Sequence, residues 1–265
     1  MAVLPPGTLL QLMYLGERLR HLQPGRFIEI GPGGGDITRL LLDHGWLGMS
    51  YDLEAKTVQN LCARFTNEIA AKRFIPVNDS YLSSPPPLEK VDLVISCMVM
   101  EHLEDDAQYD FMKKSANCLK KGGVMIGLVP ASSAHWGIED DIAGHCRRYS
   151  RESLRSLIQR TGWKIVHLAG LTYPVSNLLL PISNLLVRRH EASKLKLSML
   201  ERTKHSGRRN VRFKTHFPSV LQFVLNEWTM LPLYWIQKFF SNSDRALVLY
   251  FEAMPETQGN ADGKP

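Results

Sequence analysis

The sequence predicts an α/β fold in which a mostly parallel sheet carries helices on both faces. Short apolar runs typical of strands alternate with segments of helical periodicity, and a glycine-rich turn joins the first strand to a helix. Hydrophobic residues make up 44% of the chain and charged residues 22%, which is ordinary for a globular protein. A length of 265 residues allows a substantial core within one domain.

The N-terminal half is predicted to contain a leading helix over residues 8–22 and four strands. The strands are expected at residues 26–28, 47–51, 74–77 and 91–97. Asp36 is predicted to cap the helix after the first strand. Ile37, Leu40 and Leu41 form an apolar face on that helix, and Gly45 ends it.

The C-terminal half continues the alternation. Helices are predicted over residues 105–121 and 151–160, a fifth strand over 124–129, a sixth over 163–168 and a last one over 245–251. The gap between the last two strands is too long for a plain loop and should contain helices. The predicted organisation is an N-terminal helix (1–25), a core (26–170 and 244–254), a helical insertion (171–243) and a flexible tail (255–265).

The turn after the first strand carries an acidic residue followed by alternating glycines: Glu29, Gly31, Gly33 and Gly35. Glycines let the backbone approach a ligand closely, and the start of a helix offers N–H groups to it. A dinucleotide fingerprint would need a small residue where Asp36 stands. The pattern resembles the first motif of class I S-adenosylmethionine-dependent methyltransferases. That resemblance implies a Rossmann-like, seven-stranded, doubly wound sheet whose last strand runs antiparallel between the fifth and sixth.

Downstream residues extend the resemblance. It implies that Asp52, with Glu54 as a weaker substitute, holds the ribose of S-adenosylmethionine and that Asp79 recognises the adenine amino group. The segment ending in Glu101 and His102 resembles the fourth-strand motif of the quinone and small-molecule branch. The cofactor contacts that the resemblance implies are Glu29, Gly31, Gly33, Gly35, Asp52, Leu53, Asp79, Ser80, Cys97 and Met98.

Two histidines are candidate general bases. His102 follows the fourth strand, and a structural role at the start of a helix is the alternative. His145 lies in a loop that resembles the Gly-His-x-Arg-Arg-Tyr signature of a branch associated with glycan, lipid and secondary-metabolite pathways. There, Asp141 is expected to orient His145. The expected substrate contacts are Trp136, Arg147, Arg148 and Tyr149.

The alternative for this loop is structural: histidine and arginine would tie it to neighbouring carboxylates such as Asp140. No metal is expected, because the candidate ligands His135, Asp141 and His145 lack tight ligand spacing. The four cysteines show no paired spacing, and the N-terminus lacks the features of a secretory signal, so a cytoplasmic location is expected.

Positive charge is concentrated in the insertion. Residues 171–243 contain eleven Lys or Arg and three Asp or Glu, with a basic cluster between Arg188 and Lys214. Prolines and asparagines interrupt the apolar stretches 171–187 and 220–240, so neither is predicted to span a membrane. Two interpretations stay open: peripheral contact with an anionic membrane surface, or a lid over the active site. Nucleic acid is not favoured, because the aromatic residues sit in apolar runs.

The sequence therefore predicts an S-adenosylmethionine-dependent methyltransferase, and O-methylation of an apolar, lipid-linked or prenylated small molecule is the favoured reaction. A soluble sugar or secondary metabolite is the alternative acceptor. Two other classes stay open: an NAD(P)-dependent reductase, against which the absence of a Tyr-x-x-x-Lys pair argues, and a non-catalytic adaptor. The sequence offers no signal for oligomeric state.

Overall fold

The computed structural model describes residues 3–198, 201–202 and 217–256. Within them, seven strands form one sheet in the order β3-β2-β1-β4-β5-β7-β6. The strands are β1 Arg26–Ile30, β2 Leu47–Asp52, β3 Phe74–Asn78, β4 Val91–Cys97, β5 Leu119–Pro130, β6 Trp163–Leu171 and β7 Val248–Pro255. The predicted α/β class is confirmed.

Strand direction places the carboxyl ends of five strands at one edge of the sheet. β1 pairs in parallel with β2 and β4, β2 pairs in parallel with β3, and β4 pairs in parallel with β5. β7 runs antiparallel between β5 and β6, as the resemblance implied. The edge where β1 to β5 end is the usual position of a ligand site in an open parallel sheet.

The structure describes nine α-helices over their full length. They are α1 Pro6–Leu19, α2 Asp36–Asp43, α3 Ala55–Arg64, α4 Thr66–Ala70, α5 Asp105–Cys118, α6 Ile138–Ala143, α7 Arg151–Arg160, α8 Val175–Glu191 and α9 Glu227–Phe239. One apolar cluster packs Leu10 of α1, Leu41 of α2 and Tyr234 of α9 against the sheet. A second cluster contains Phe111 of α5 and Ile158 of α7.

The start of α2 differs from the prediction. Gly35, with φ of 80°, precedes the helix, while Asp36 is its first residue and pairs with Arg64 at 2.9 Å. The predicted cap at Asp36 is therefore wrong. A Cβ on Gly35 would lie 2.7 Å from atoms of Leu61 and Phe65, so glycine lets α2 begin against α3.

Other boundaries shift by a few residues. α5 ends at Cys118, three residues before the predicted end, and β5 begins at once with Leu119. The last strand starts at Val248 rather than at residue 245. Pairing with neighbouring strands decides these ends, and that pairing leaves little local signal in the sequence.

Among its described residues, the insertion contains α8, α9 and two short 3-10 turns, Ala192–Lys196 and Ser219–Phe223. Asn226 caps α9, and Tyr234 and Lys238 of α9 both contact Glu17 of α1. Residues 203–214, which contain half of the basic residues of the predicted cluster, lie outside the described residues, as do residues 257–265 of the predicted tail. In the part of the chain that is described, no helix combines the length and the apolar composition needed to cross a bilayer.

Candidate active site

A cavity of about 1200 Å³ opens at the sheet edge where β1, β2 and β4 end. One end, here called the glycine end, is bordered by Gly31, Gly33, Asp52 and Asp79. The other, the histidine end, is bordered by His102, His145 and Arg148. Residues of α1, α6, α8 and 217–225 form much of the remaining wall.

The turn after β1 determines the shape of the glycine end. Gly31 has φ of 72°, and a Cβ there would lie 2.5 Å from Cγ2 of Val99. Its N–H donates to the carbonyl of Tyr51 on β2 at 3.0 Å. Gly31 therefore lets the turn pass close to both β2 and the segment after β4, with its backbone facing the cavity.

Carboxylates stand where β2 and β3 end. Asp52 lines the cavity together with Leu53, and its Oδ1 accepts the N–H of Glu54 at 2.8 Å. Asp79 accepts hydrogen bonds from the Ser84 hydroxyl at 2.8 Å and from the N–H of Ser80 at 2.7 Å, and both lower the pKa of its carboxyl. Cys97 and Met98 line the same wall after β4, and burial raises the pKa of the Cys97 thiol to about 12.

Three of the expected cofactor contacts, Glu29, Gly35 and Ser80, do not border the cavity. Glu29 is buried and accepts the Thr38 hydroxyl of α2 at 2.5 Å; burial raises the pKa of its carboxyl to about 7. Gly35 permits the packing of α2 on α3, and Ser80 donates its N–H to Asp79. In this structure the three support the turn and loop that do face the cavity.

The residues of the glycine end fit S-adenosylmethionine. Backbone at Gly31 and Gly33 stands open to a ligand, the carboxylate of Asp52 suits the two hydroxyls of a ribose, and Asp79 suits an amino donor. The cavity exceeds the usual upper volume of about 1000 Å³ for a small-molecule pocket. It therefore has space for a nucleoside and a second molecule.

The histidine end joins two segments distant in sequence. A 3-10 turn at Met100–His102 follows β4, and the loop after α6 carries His145. The N–H of Cys146 donates to the carbonyl of Glu101 at 2.8 Å, and Nδ1 of His102 contacts the carbonyl of Gly144 at 3.2 Å. The two imidazoles meet edge to face with centroids 4.8 Å apart.

Burial shifts the titration of this cluster. The pKa of the Glu101 carboxyl rises to about 7, and the pKa of His102 falls to about 4, with His145 adding to the fall. His102 is therefore neutral near pH 7. Asp140 has a lowered pKa, because its hydrogen bonds from His145 and Arg148 outweigh its burial.

Asp140, and not Asp141, orients His145. Its Oδ1 lies 2.8 Å from Nδ1 of His145 and accepts Nε of Arg148 at 2.8 Å. Asp141 instead accepts the indole N–H of Trp136 at 3.0 Å. The expected orienting role of Asp141 is thus wrong, and the tie to Asp140 that the structural alternative described is present.

Of the four expected substrate contacts, only Arg148 lines the cavity. Trp136 is 42% exposed and lies outside it. Arg147 pairs with Asp105 and donates to the carbonyl of Leu103, and the buried Tyr149 donates to the carbonyl of Met100 at 3.1 Å. Arg147 and Tyr149 therefore hold the loop against the turn after β4.

Sequence reasoning missed several cavity walls. Thr8, Gln11 and Leu12 of α1 line the cavity, as do Leu179 and Ile182 of α8. Helical periodicity reveals an apolar face but not which other element it meets, so no signal pointed to α1 as a wall, whereas the lid interpretation of the insertion had already placed α8 near the site. From the sequence, Glu101 was recognised only as the neighbour of His102, and Asp140 only as a carboxylate near the histidine-arginine loop.

The chain matches the family model described as a methyltransferase domain over residues 9–168. A curated relative, a "Probable S-adenosylmethionine-dependent methyltransferase" from Mycolicibacterium smegmatis (strain ATCC 700084 / mc(2)155), is 26% identical over 159 residues. The match covers 58% of each chain, so this chain spans little more than half of that relative's length.

Solved structures share the fold. Magnesium protoporphyrin IX methyltransferase from Synechocystis PCC 6803, with bound S-adenosylhomocysteine, gives a TM-score of 0.52 at 15% identity over 63% of this chain and 77% of that chain. An N-methyltransferase from Bradyrhizobium japonicum WM9, in complex with the same compound, gives 0.51 at 17% identity over 64% of this chain and 80% of that chain. At this identity the likeness concerns the fold alone.

Proposed function

The chain belongs to the methyltransferase-domain family, and we propose on that basis that it transfers a methyl group from S-adenosylmethionine to an apolar small molecule. One observation carries the proposal. Open glycine backbone and the carboxylates Asp52 and Asp79 meet at a single cavity end, at the ligand-binding edge of a parallel sheet. The name of the curated relative agrees with this cofactor.

The glycine end would hold the cofactor. Asp52 would accept hydrogen bonds from the ribose, Asp79 would face the adenine, and backbone at Gly31 and Gly33 would lie along the amino-acid portion. S-adenosylmethionine supplies an activated methyl carbon attached to a positively charged sulfur. The chain's own contribution is to align the acceptor and to stabilise the loss of its proton.

The histidine end is proposed to receive the acceptor. His102 and His145 are the imidazoles at this end, and Asp140 fixes the tautomer of His145 through Nδ1. The walls around them are mostly apolar and include Leu179, Ile182 and Leu225. An apolar acceptor with one polar reacting group fits this surface. A hydroxyl is the favoured reacting group, because it must lose its proton for the oxygen to accept a methyl group and the imidazoles could take that proton.

We further propose that the acceptor is lipid-linked or prenylated and is taken from an anionic membrane surface. Side chains of α8 and α9 support this. Trp228, Trp235 and Phe239 follow one stripe of α9 and are 83%, 62% and 82% exposed, while the opposite stripe packs on α1. On α8, Leu178 and Ile182 are 76% and 59% exposed. A row of large exposed apolar groups along a helix is typical of an interaction surface.

Charge and position favour a bilayer as the partner of these helices. α8 ends with the exposed Arg188 and Arg189, and Lys238 of α9 lies 5.1 Å from the ring of Trp235. Basic residues beside exposed aromatic groups are typical of helices that lie in an anionic interface. Ile182 both borders the cavity and is exposed, so an acyl or prenyl chain would have a continuous apolar path into it.

Calorimetry with S-adenosylmethionine and with NADH tests the cofactor. We expect binding of S-adenosylmethionine alone and a loss of about tenfold or more in Asp52→Asn, because hydrogen bonds to a charged acceptor are stronger. Glu54→Gln is the matched control and should bind as the wild type does. Binding of NADH would favour a reductase. Equal affinity of wild type and Asp52→Asn for S-adenosylmethionine would show that Asp52 does not bind the ribose.

Labelled methyl transfer tests the acceptor. The protein and isotopically labelled S-adenosylmethionine are incubated with separate lipid and aqueous extracts, and label is followed by mass spectrometry. We expect label in the lipid extract. Label confined to the aqueous extract would replace the lipid-linked acceptor with a soluble sugar or metabolite. A protein that binds the cofactor but labels neither extract would be an adaptor.

A further inference from the structure

Three metal-binding side chains converge at the histidine end. Glu101 and His102 come from the turn after β4, and His145 comes from the loop after α6. One potential ligand atom from each lies within 4.8 Å of those of the other two. Both imidazoles border the cavity, while Glu101 lies beneath them.

The Glu101 carboxyl group is buried with few polar contacts. Its side chain is fully buried, and neither Oε1 nor Oε2 has a hydrogen-bond partner among the described residues. Its Oε1 lies 3.7 Å from Nε2 of His145, too far for a hydrogen bond. A buried carboxylate without hydrogen-bond partners is costly, and a cation bound beside Glu101 and His145 would reduce that cost.

His145 is held in the manner of a metal ligand. Its Nδ1 contacts Asp140 at 2.8 Å, which leaves Nε2 turned toward Glu101. Asp140 is itself fixed by Arg148 and by the N–H of Gly137 at 2.9 Å. A carboxylate that binds the far nitrogen of a histidine is the usual support behind a metal-ligating imidazole.

His102 has a similar support. Its Nδ1 contacts the carbonyl of Gly144 at 3.2 Å, so a ligand role falls to Nε2. The buried Tyr149 donates to the carbonyl of Met100 and thereby fixes the turn on which Glu101 and His102 stand. The Arg-Arg-Tyr segment of the loop therefore makes contacts that help to hold this cluster together.

We propose that Glu101, His102 and His145 bind one divalent first-row transition metal ion, with open coordination positions toward the cavity. Two imidazoles and one carboxylate on one side of an ion suit Zn²⁺, Mn²⁺ or Fe²⁺, whereas Mg²⁺ prefers oxygen ligands and water. The sequence predicted no metal, and the candidate ligands there were His135, Asp141 and His145. In the structure, His135 contacts Ser132 and Asp141 contacts Trp136.

The role of the ion deepens the proposed function and rests on it. An acceptor hydroxyl bound to the ion would lose its proton to water near neutral pH, because a bound cation lowers the pKa of a ligated hydroxyl. The resulting oxygen would then form the O–CH₃ bond as the S–CH₃ bond of the donor breaks. Asp140, Arg148 and Tyr149 would be positioning residues that act through the ligands.

Metal binding is measured directly on the full chain, purified without a histidine tag and stripped with a chelator. Zn²⁺, Mn²⁺ and Co²⁺ are titrated separately by calorimetry, and Co²⁺ is also followed by its visible absorption. We expect one ion per chain in the wild type and loss of that binding in Glu101→Gln and His145→Ala. Asp140→Asn should weaken it by about 10- to 100-fold, as supporting residues of metal sites do.

His21→Ala is the matched control. His21 is exposed and precedes β1, at the edge of the sheet opposite the cavity, so the variant should bind the ions as the wild type does. Circular dichroism and binding of S-adenosylmethionine confirm that each variant is folded. Failure of the stripped wild type to bind any of the three ions would overturn the proposal, as would unchanged stoichiometry in both ligand variants. Metal binding without cofactor binding would instead overturn the proposed function and leave the site intact.

Discussion

The two ends of the cavity are encoded in different ways. The glycine end comes from short segments that each follow directly on a parallel strand, so local sequence and strand direction together bring Gly31, Asp52 and Asp79 to one place. The histidine end needs two loops distant in sequence, and apolar walls of the cavity come from α1 and α8, which are also far apart in sequence. The geometry of the glycine end therefore depends on local sequence and strand direction, whereas the geometry of the histidine end depends on tertiary packing.

The largest effect is expected at the glycine end. In Gly31→Ala the added Cβ would meet Val99 at 2.5 Å on a backbone of φ 72°, so the turn must move away from the cavity. We expect affinity for S-adenosylmethionine to fall by more than about 100-fold, since strain at positive φ costs about 1–3 kcal/mol before the overlap is added. Calorimetry measures the loss.

Gly122→Ala separates backbone strain from ligand binding. Gly122 also has positive φ, at 82°, but a Cβ there would meet nothing within 4 Å. In Gly122→Ala the free energy of unfolding should fall by about 1 kcal/mol or slightly more, and the affinity for the cofactor should equal that of the wild type. If Gly31→Ala binds as tightly as Gly122→Ala, the turn after β1 is not the binding element.

The second prediction concerns pH. The pKa of the buried Glu29 rises to about 7 because of burial, and Asp36 and Asp52 add to the rise, whereas the unfolded value is about 4.3. The folded state thus favours the protonated form, and stability is lost as pH rises from about 4.3 through 7. Glu29→Gln should remove that loss, which is about 3 kcal/mol between pH 4 and 8.

Urea unfolding of wild type and Glu29→Gln across this pH range gives the difference between their free energies of unfolding. Other titrating groups are common to both proteins and cancel in that difference. Gln retains an oxygen that can accept the Thr38 hydroxyl. Glu89→Gln, at an exposed position, is the control and should leave the wild-type pH dependence unchanged. If the free energy of unfolding of wild type and Glu29→Gln changes with pH in parallel, folding does not raise the pKa of Glu29.

The alternation of strand and helix patterns predicted the α/β class, and the resemblance implied the antiparallel last strand, but local sequence did not predict the full strand order. The acidic-glycine pattern specified the turn, and the carboxylates after β2 and β3 had to reach the same edge once the strands were parallel. The histidine end was predicted only in part. His102 and His145 were identified, but Asp141 was chosen over Asp140 because spacing does not reveal which face of the short α6 points inward.

The third prediction examines the exposed face of α9. Trp228→Ser with Phe239→Ser should reduce flotation with anionic liposomes by about tenfold or more, because each residue could bury an aromatic side chain worth about 1.5–3 kcal/mol. Leu88→Ser with Tyr109→Ser removes exposed apolar groups outside the insertion and is the matched control. S-adenosylmethionine binding should stay unchanged in both. Equal flotation of both double variants would exclude this face as the membrane contact.

The smallest effect is expected for Trp136→Phe, a position that the sequence predicted to bind substrate. The indole lies outside the cavity, is 42% exposed and makes one hydrogen bond to the exposed Asp141, so its loss should cost about 1 kcal/mol of stability or less. Once an acceptor is identified, its KM should change less than twofold, roughly 0.4 kcal/mol. Ile182→Ser, which alters a true cavity wall, should raise that KM several-fold and leave cofactor affinity unchanged. If instead Trp136→Phe raises KM and Ile182→Ser does not, acceptor recognition belongs to the loop surface around Trp136 and the apolar wall of α8 has another purpose.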